Sequence, residues 1–208
     1  MRFIGITGGV GAGKSEVLRF LAGRQHTRVM LADEIAHRLM EPKGRAYDKL
    51  CEEFAGEDIF EASVDAAESR PYFDREKLAR FIFEDDAGRE RLNGIVHPAV
   101  KEYVREQALF ERERGELTLL VLEAALLIEE KYDEICDELW YIDTDEKVRR
   151  SRLKASRGYS DARIDQIFAS QMKAEAYRSA CRIVIDNNGE WESTREQIER
   201  ALRREADE

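Results

Sequence analysis

Apolar residues follow two different spacings along the chain. Short runs rich in β-branched and other apolar residues predict five buried strands, and these lie at 3–7, 28–31, 117–122, 138–142 and 182–185. Apolar positions at helical spacing separate the runs. Because strands alternate with helices, the pattern predicts parallel pairing through right-handed crossovers. The predicted fold class is α/β, a three-layer sandwich around a five-stranded parallel sheet.

The predicted helices differ in where they fall relative to the sheet. Several of them, with one irregular segment at 56–72, fill the long stretch 47–114, which exceeds a simple crossover and predicts a helical insertion. Pro98 is typical of the first turn of a helix. The other predicted helices lie at 14–21, 33–40, 145–156, 160–177 and 191–204.

A phosphate-binding motif stands between the first predicted strand and the first predicted helix. The segment Gly8-Gly9-Val10-Gly11-Ala12-Gly13-Lys14-Ser15 fits G-x-x-x-x-G-K-[ST]. Its glycines let backbone N–H groups surround phosphates, and the helix N-terminus adds partial positive charge. We expect Lys14 to bridge the β- and γ-phosphates of ATP and Ser15 to ligate Mg²⁺. The predicted nucleotide-binding residues are Gly9, Val10, Gly11, Ala12, Gly13, Lys14, Ser15 and Glu16.

Three features help to distinguish a kinase from a GTPase: the absence of a guanine-binding motif and two carboxylates at predicted strand ends. The sequence contains no N-K-x-D segment, which argues against a GTPase. Asp33 follows the second strand, where it is either the residue that faces an acceptor hydroxyl or a helix N-cap. Glu123 ends the third strand and either helps to hold the metal through water or is solvated. The pattern favours a kinase of a small molecule.

A basic segment at 147–158 carries six basic residues and no acidic one. The whole chain has 34 basic and 44 acidic residues, a formal net charge of −10, so cations for ATP must be gathered locally. We expect this segment to be a lid over the phosphates, with Arg149, Arg152 and Arg157 facing them; the alternative is a solvated helix face. His97 alone indicates a cap or packing residue.

The composition indicates the cellular location and the class of binding partner. The negative net charge argues against nucleic acid as the main partner, and no apolar run approaches the length of a membrane span. The N-terminus enters a strand pattern at once, which indicates no signal peptide. Cys51, Cys136 and Cys181 are widely spaced, as expected for reduced thiols in a cytoplasmic protein. A monomer or weak homo-oligomer is expected.

Further motifs occur in a fixed order along the chain: A-D-E-I-A, F-D-R-E-K-L-A-R-F-I-F, L-N-G-I-V-H-P, L-L-I-E, G-Y-S, the Gln171 segment and V-I-D-N-N-G. Together with the phosphate loop they resemble the dephospho-CoA kinase family over roughly residues 2 to 190. The resemblance implies ATP-dependent phosphorylation of the 3′-hydroxyl of the dephospho-CoA ribose, the last step of coenzyme A synthesis. Other small-acceptor kinases (gluconate-, shikimate- or nucleoside-type) and a nucleotide-dependent switch ATPase are the alternatives.

The resemblance also implies roles for single residues. It implies that Asp33 is the base for the acceptor hydroxyl and that Arg152 is a catalytic lid arginine. It also implies that Asn188 and Gly189 contact the adenine of ATP. His97 then lines the acceptor side, and we assign Thr7 and Glu123 to the same substrate set. The expected organisation is one P-loop kinase domain over 1–208, with a core (1–40, 115–143, 178–208), a CoA-side helical insertion (41–114) and a lid (144–177).

Overall fold

The structure is a computed structural model that describes residues 1–61 and 72–203. Its strands are β1 (Arg2–Thr7), β2 (Thr27–Leu31), β3 (Leu119–Glu123), β4 (Glu138–Asp143) and β5 (Ile183–Asp186). Its helices are α1 (Lys14–Ala22), α2 (Ala32–Met40), α3 (Tyr47–Glu53), α4 (Arg75–Glu84), α5 (Asp86–Arg114), α6 (Glu146–Arg157), α7 (Asp161–Ala169), α8 (Ala174–Ala180) and α9 (Trp191–Arg203).

The strands form one sheet in the order β2-β3-β1-β4-β5. β1 lies at its centre and pairs in parallel with β3 on one side and β4 on the other, and β4 pairs in parallel with β5. Nearly every residue of β1, β3 and β4 is buried, as expected for parallel strands covered on both faces. The predicted fold class is confirmed.

One face of the sheet packs against α1 and α9. Alternate residues of β1, Ile4 and Ile6, point to this face together with Trp140 and Ile142 of β4. The helices contribute apolar side chains one turn apart, and the cluster is completed by Ala12, Val17, Leu21, Leu119, Val121, Ile185, Ile198 and Ala201. This packing fixes the start of α1 against the end of β1, and so fixes the loop between them.

The chain divides into two compact units, one of Met1–Met30 with Phe110–Glu208 and one of Leu31–Leu109. The first, the sheet unit, contains the strands just described, α1 and α6 to α9. The second, the helical unit, contains α2 to α4 and most of α5. Its buried side chains are largely aliphatic, with Phe54 edge-on to Phe81 at 5.6 Å between ring centroids.

The helical unit departs from the sequence prediction at Pro98. The prediction that a helix starts there is wrong, because α5 runs through it from Asp86 to Arg114. A proline ring inside a helix normally clashes with the carbonyl group four residues earlier. Here that residue is Gly94, which has no Cβ and open space around it, so its backbone can adjust.

The helix predicted at 160–177 is also wrong in extent, because it is two helices, α7 and α8. Ser170 follows the end of α7, and its hydroxyl donates a hydrogen bond to the Ile167 carbonyl oxygen at 2.9 Å. Lys173 then adopts an extended conformation before α8. The break frees Gln171 from helical geometry, and its side chain contacts Arg149.

The expected irregular segment at 56–72 is only partly within the structure. Phe60 and Phe73 form an isolated antiparallel bridge, and Glu61 N–H donates to the Tyr72 carbonyl oxygen at 2.9 Å. Residues 62–71 lie outside the described part of the chain. Within 1–61 and 72–203, every helix is too short or too polar to cross a membrane.

Candidate active site

The loop between β1 and α1 forms the centre of the site. Gly13 is the N-cap of α1 with φ +90°, a conformation that favours glycine. A Cβ there would also overlap Nδ2 of Asn187, and a Cβ at Gly9 would overlap the Arg149 guanidinium. The predicted glycine motif is therefore needed both for backbone geometry and for the close approach of two side chains.

Lys14 and Glu123 meet at the carboxyl ends of neighbouring strands. Lys14 Nζ donates to the Gly8 carbonyl oxygen at 2.7 Å and lies 3.4 Å from Glu123 Oε1. The prediction that Glu123 ends β3 is confirmed, and the register of β1 and β3 pairs it with Ile6, next to the start of the loop. Thr7 ends β1, and its hydroxyl is buried without a hydrogen-bond partner among the described residues.

The start of α1 faces solvent. Ser15 and Glu16 are exposed in its first turn, directly after Lys14. Hydroxyl and carboxylate oxygens of this kind are the hard donors that Mg²⁺ prefers. A ligand that reaches the loop can therefore reach both side chains.

Arg149 packs against the phosphate loop from α6. Its Nε donates to the Val10 carbonyl oxygen at 2.9 Å, and another guanidinium nitrogen donates to Gln171 Oε1. The guanidinium also lies over the Phe168 ring, 4.2 Å from its centroid. Burial lowers the pKa of Arg149, although an arginine remains protonated in proteins. A fixed positive charge thus borders the loop.

Arg152 occupies the next turn on the same face of α6. Its two terminal nitrogens donate to the Ala12 carbonyl oxygen at 3.2 Å and to the Asn187 carbonyl oxygen at 2.8 Å. In this arrangement the guanidinium links the loop to the residue that follows β5. The lid segment therefore brings two of its predicted arginines to the phosphate loop.

Two other cations of α6 pair with carboxylates of α7. Arg150 Nη1 lies 3.0 Å from Asp161, and Lys154 Nζ lies 2.8 Å from the same carboxylate; Arg150 also pairs with Asp165. Arg157 is exposed, with its guanidinium 5.8 Å from the Tyr159 ring centroid. The acidic partners missing from the segment itself come from α7, so the solvated-face alternative describes Arg150 and Lys154.

A polar cavity of about 280 Å³ lies beside the loop. Arg149 lines it and also touches Val10, so the cavity adjoins the phosphate loop. At its wall Arg178 Nη2 lies 2.7 Å from Asp143, and Tyr141 stacks on Tyr177 with centroids 4.8 Å apart. Burial raises the pKa of Tyr141, and the Asp143 carboxylate adds to the rise, so this phenol stays neutral.

Asn188 and Gly189 follow β5. Asn188 Oδ1 accepts from the Asp145 N–H at 2.8 Å, and its Nδ2 donates to Asp186 at 2.7 Å. Gly189 is exposed. These contacts tie the loop after β5 to the start of α6, and the contact of Asn188 and Gly189 with adenine stays a prediction.

Asp33 and His97 belong to the helical unit. Asp33 is exposed in the first turn of α2, whose N-cap is Leu31 and has no side-chain capping bond. The N-cap interpretation of Asp33 is therefore wrong. His97 is half-buried in the interior of α5, so it is not a helix cap either.

Two residues that contact the loop, Thr144 and Asn187, were not predicted as site residues. Phe168 and Gln171, which contact Arg149, were not predicted either, although Gln171 marks one of the family motifs. Both asparagines lie in the V-I-D-N-N-G motif, but the family resemblance implied a role for Asn188 and none for Asn187. Asn187 is the buried one, and its side chain touches the loop.

Comparison with known proteins relates the chain to one family. A family model described as dephospho-CoA kinase matches residues 2–193. Dephospho-CoA kinase of Shouchella clausii is 34% identical over 99% of both chains, and that of Geobacter sulfurreducens is 36% identical over 97% of this chain and 95% of its own.

Solved structures agree in fold. TT1252 from Thermus thermophilus, 27% identical, superposes with a TM-score of 0.71 over 97% of this chain and 96% of its own. Dephospho-CoA kinase from Campylobacter jejuni is 16% identical, with a TM-score of 0.62 over 98% and 96%. With a phosphate loop of this geometry and a family match over nearly its whole length, the chain belongs to the dephospho-CoA kinase family.

Proposed function

We propose that the protein transfers the γ-phosphoryl group of ATP to the 3′-hydroxyl of the dephospho-CoA ribose. The ribose oxygen forms a bond to the γ-phosphorus as the bond to the β,γ-bridging oxygen breaks. Coenzyme A and ADP are the products. The observation that carries the proposal is the glycine loop with Lys14 beside Glu123, in a chain that belongs to this family.

The cations at the loop have distinct roles in the proposal. Lys14 moves from the Gly8 carbonyl oxygen to the β- and γ-phosphates when ATP binds. Arg149, fixed on the loop-facing side of α6, neutralises charge that develops during transfer. Arg152 does the same once it turns from the Ala12 and Asn187 carbonyl oxygens toward the phosphates. Arg157, at the exposed end of the helix, contacts the ATP phosphates when the lid closes.

Magnesium fits the oxygen donors beside the loop. Ser15 would ligate it directly and Glu123 through water. The described residues contain no group of three or more His, Cys, Asp or Glu side chains able to hold a metal, so phosphate and water oxygens would supply the other ligands. When bound, the ion neutralises phosphate charge and orients the γ-phosphoryl group.

Three residues are proposed for the acceptor. Asp33 accepts the proton of the ribose hydroxyl and orients its oxygen, and Thr7 and His97 border the acceptor. A cavity of about 520 Å³ in the helical unit, lined in part by Met40, Phe73 and Leu78, supports this assignment because the acceptor carries a long, partly apolar arm. ATP and dephospho-CoA are then the partners of a cytoplasmic enzyme.

Acceptor-dependent ADP release tests the reaction. ADP should form rapidly only when ATP, Mg²⁺ and dephospho-CoA are all present. The coenzyme A product should carry the new phosphate on its ribose 3′-oxygen. A switch ATPase would release ADP equally fast without acceptor. Gluconate, shikimate or a nucleoside replacing dephospho-CoA as the better acceptor would identify one of the other small-molecule kinases.

Asp33 has a matched control in the neighbouring residue. Asp33 and Glu34 are both exposed in the first turn of α2, so neutralising either removes the same favourable interaction with the helix dipole. We expect Asp33→Asn to lower kcat by about 10²- to 10³-fold with KM values nearly unchanged, because Asn cannot take the proton. Glu34→Gln should stay within about twofold of the parent kcat. Equal kcat values for the two variants would remove Asp33 from the mechanism.

A further inference from the structure

Three donors converge on one carbonyl oxygen of the phosphate loop, that of Ala12. Asn187 Nδ2 donates to it at 2.7 Å, Thr144 Oγ1 at 3.0 Å and Arg152 Nη1 at 3.2 Å. A carbonyl oxygen has two lone pairs, so this one is more than saturated. The three donors come from the end of β5, the end of β4 and α6, all within the sheet unit.

The direction of that carbonyl fixes the next N–H group. In a trans peptide the C=O and N–H bonds point in opposite directions, and the Ala12–Gly13 peptide is trans. Holding the Ala12 oxygen toward Asn187 therefore turns the Gly13 N–H to the opposite side, where a phosphate loop presents its amides to an anion. Orientation of this amide before ATP arrives lowers the ordering cost of binding.

We propose that Asn187 is a positioning residue that acts through the Ala12 carbonyl group to aim the Gly13 N–H at the nucleotide phosphates. The inference rests on the proposed use of ATP but not on the identity of the acceptor. Asn187 touches the loop backbone and lies behind it, so it acts without contacting the phosphates. This role differs from that of Asn188, which was predicted to face adenine.

Asn187 is itself held on every side. Only 4% of it is exposed. Its Oδ1 accepts from Thr194 Oγ1 at 2.8 Å, which leaves Nδ2 to face Ala12. Its backbone N–H donates to the Asp143 carbonyl oxygen at 2.8 Å, and its carbonyl oxygen accepts from Arg152 at 2.8 Å. Buried groups satisfied in this way have one orientation.

The amide cannot be replaced by a carboxylate of the same shape. In Asn187→Asp an oxygen faces the Ala12 oxygen, and the two repel each other in a buried setting. The loop then relieves the repulsion by turning the Ala12–Gly13 peptide, which moves the Gly13 N–H away from the phosphates. Gly13 also has to be glycine for Nδ2 to come this close.

The test measures binding of an unreactive ATP analogue to the full chain by calorimetry, without acceptor. We expect Asn187→Asp to weaken binding by at least about tenfold. Gln197→Ala is the control, because Gln197 is an amide residue of α9 whose side chain bonds the Asp186 backbone at the end of β5 and not the loop. It should bind the analogue within about twofold of the parent.

A second pair of variants keeps the test decisive if Asn187→Asp folds poorly. Thr144→Val keeps the shape of the side chain and removes one donor to Ala12, whereas Thr144→Ser keeps the donor. Val should weaken analogue binding by about threefold to tenfold, and Ser should restore most of the affinity.

Steady-state kinetics add a readout that a purely structural role would not separate. Asn187→Asp should raise KM for ATP and leave KM for dephospho-CoA within about twofold. Parent-like analogue affinity in both Asn187→Asp and Thr144→Val, or an equal loss in Gln197→Ala, would overturn the proposal. A parent that binds the analogue but transfers nothing to dephospho-CoA overturns the proposed function alone.

Discussion

The two faces of α6 carry the same kind of side chain in different surroundings. On one face, Arg149 and Arg152 donate to loop carbonyl oxygens and to residues packed behind them. On the other face, Arg150 and Lys154 pair with carboxylates of α7 in solvent. Charge alone therefore does not determine function in this helix, and the groups that each cation contacts do.

The difference has an energetic basis. A guanidinium held in a fixed position beside a phosphate site stabilises developing charge without having to reorganise. An ion pair in solvent is screened and usually contributes little to stability or activity. Cations that touch the loop should thus matter far more than those that do not, and three substitutions of decreasing expected effect test this.

The largest effect is expected at Lys14, the cation inside the loop. Lys14→Ala should lower transfer by at least about 10³-fold, because it removes a charge that acts on the phosphates in the transition state. The melting temperature should change little, since Lys14 contacts a loop carbonyl oxygen and Glu123 at the edge of the site and packs no core. Initial rates of coenzyme A formation at saturating ATP measure the loss.

Lys154→Ala provides the comparison for Lys14→Ala, because it removes the same side chain from the solvent-facing side of α6. Its rate should lie within about twofold of the parent. Transfer by Lys14→Ala within tenfold of the parent would exclude the proposed role of this lysine.

A smaller effect is expected at Arg149, where the adjacent residue allows the same substitution. Arg149→Lys keeps the charge but loses the planar group that donates to Val10, bonds Gln171 and stacks on Phe168. We expect kcat/KM for ATP to fall by about 10²-fold. Arg150→Lys should leave it nearly unchanged, because an ammonium group can still pair with Asp161. Equal losses would mean that the two faces do not differ.

The difference between the two faces of α6 could be predicted in part from the sequence, although the number of charges alone does not show it. Residues 149 and 152 are three apart, and 150 and 154 are four apart, so helical periodicity separates them onto different faces. It could not tell which face meets the loop, because Arg149 and Arg152 contact Val10 and Ala12, which are far away in the sequence. The acidic partners of the outer face belong to α7 and lie outside the basic segment at 147–158.

Long-range contacts explain the other differences. The phosphate loop and the strands were predicted because glycine geometry and buried apolar runs are local signals. Asn187 was missed because its partner, Ala12, is 175 residues away. Pro98 was predicted to start a helix because proline usually interrupts one, whereas α5 continues through it, with Gly94 four residues earlier.

The smallest effect is expected at Asp161, which pairs with both outer cations of α6. The hydrogen bond from Lys154, and then that from Arg150, hold the pKa of Asp161 below its ordinary value of 3.8. A carboxyl group whose pKa is lower in the folded state stabilises the fold above the unfolded pKa, and this contribution is lost as pH falls through the folded pKa. Between pH 6 and pH 3 the parent should therefore lose a small stability advantage over Asp161→Asn. Urea unfolding of both proteins across that range measures the difference, which should shrink in 1 M salt because the pair is exposed. Transfer rates should be equal, since no loop contact changes. An advantage that grows toward low pH would contradict the lowered pKa of Asp161. A rate loss like that of Arg149→Lys would show that the outer face of α6 also acts on the phosphate loop.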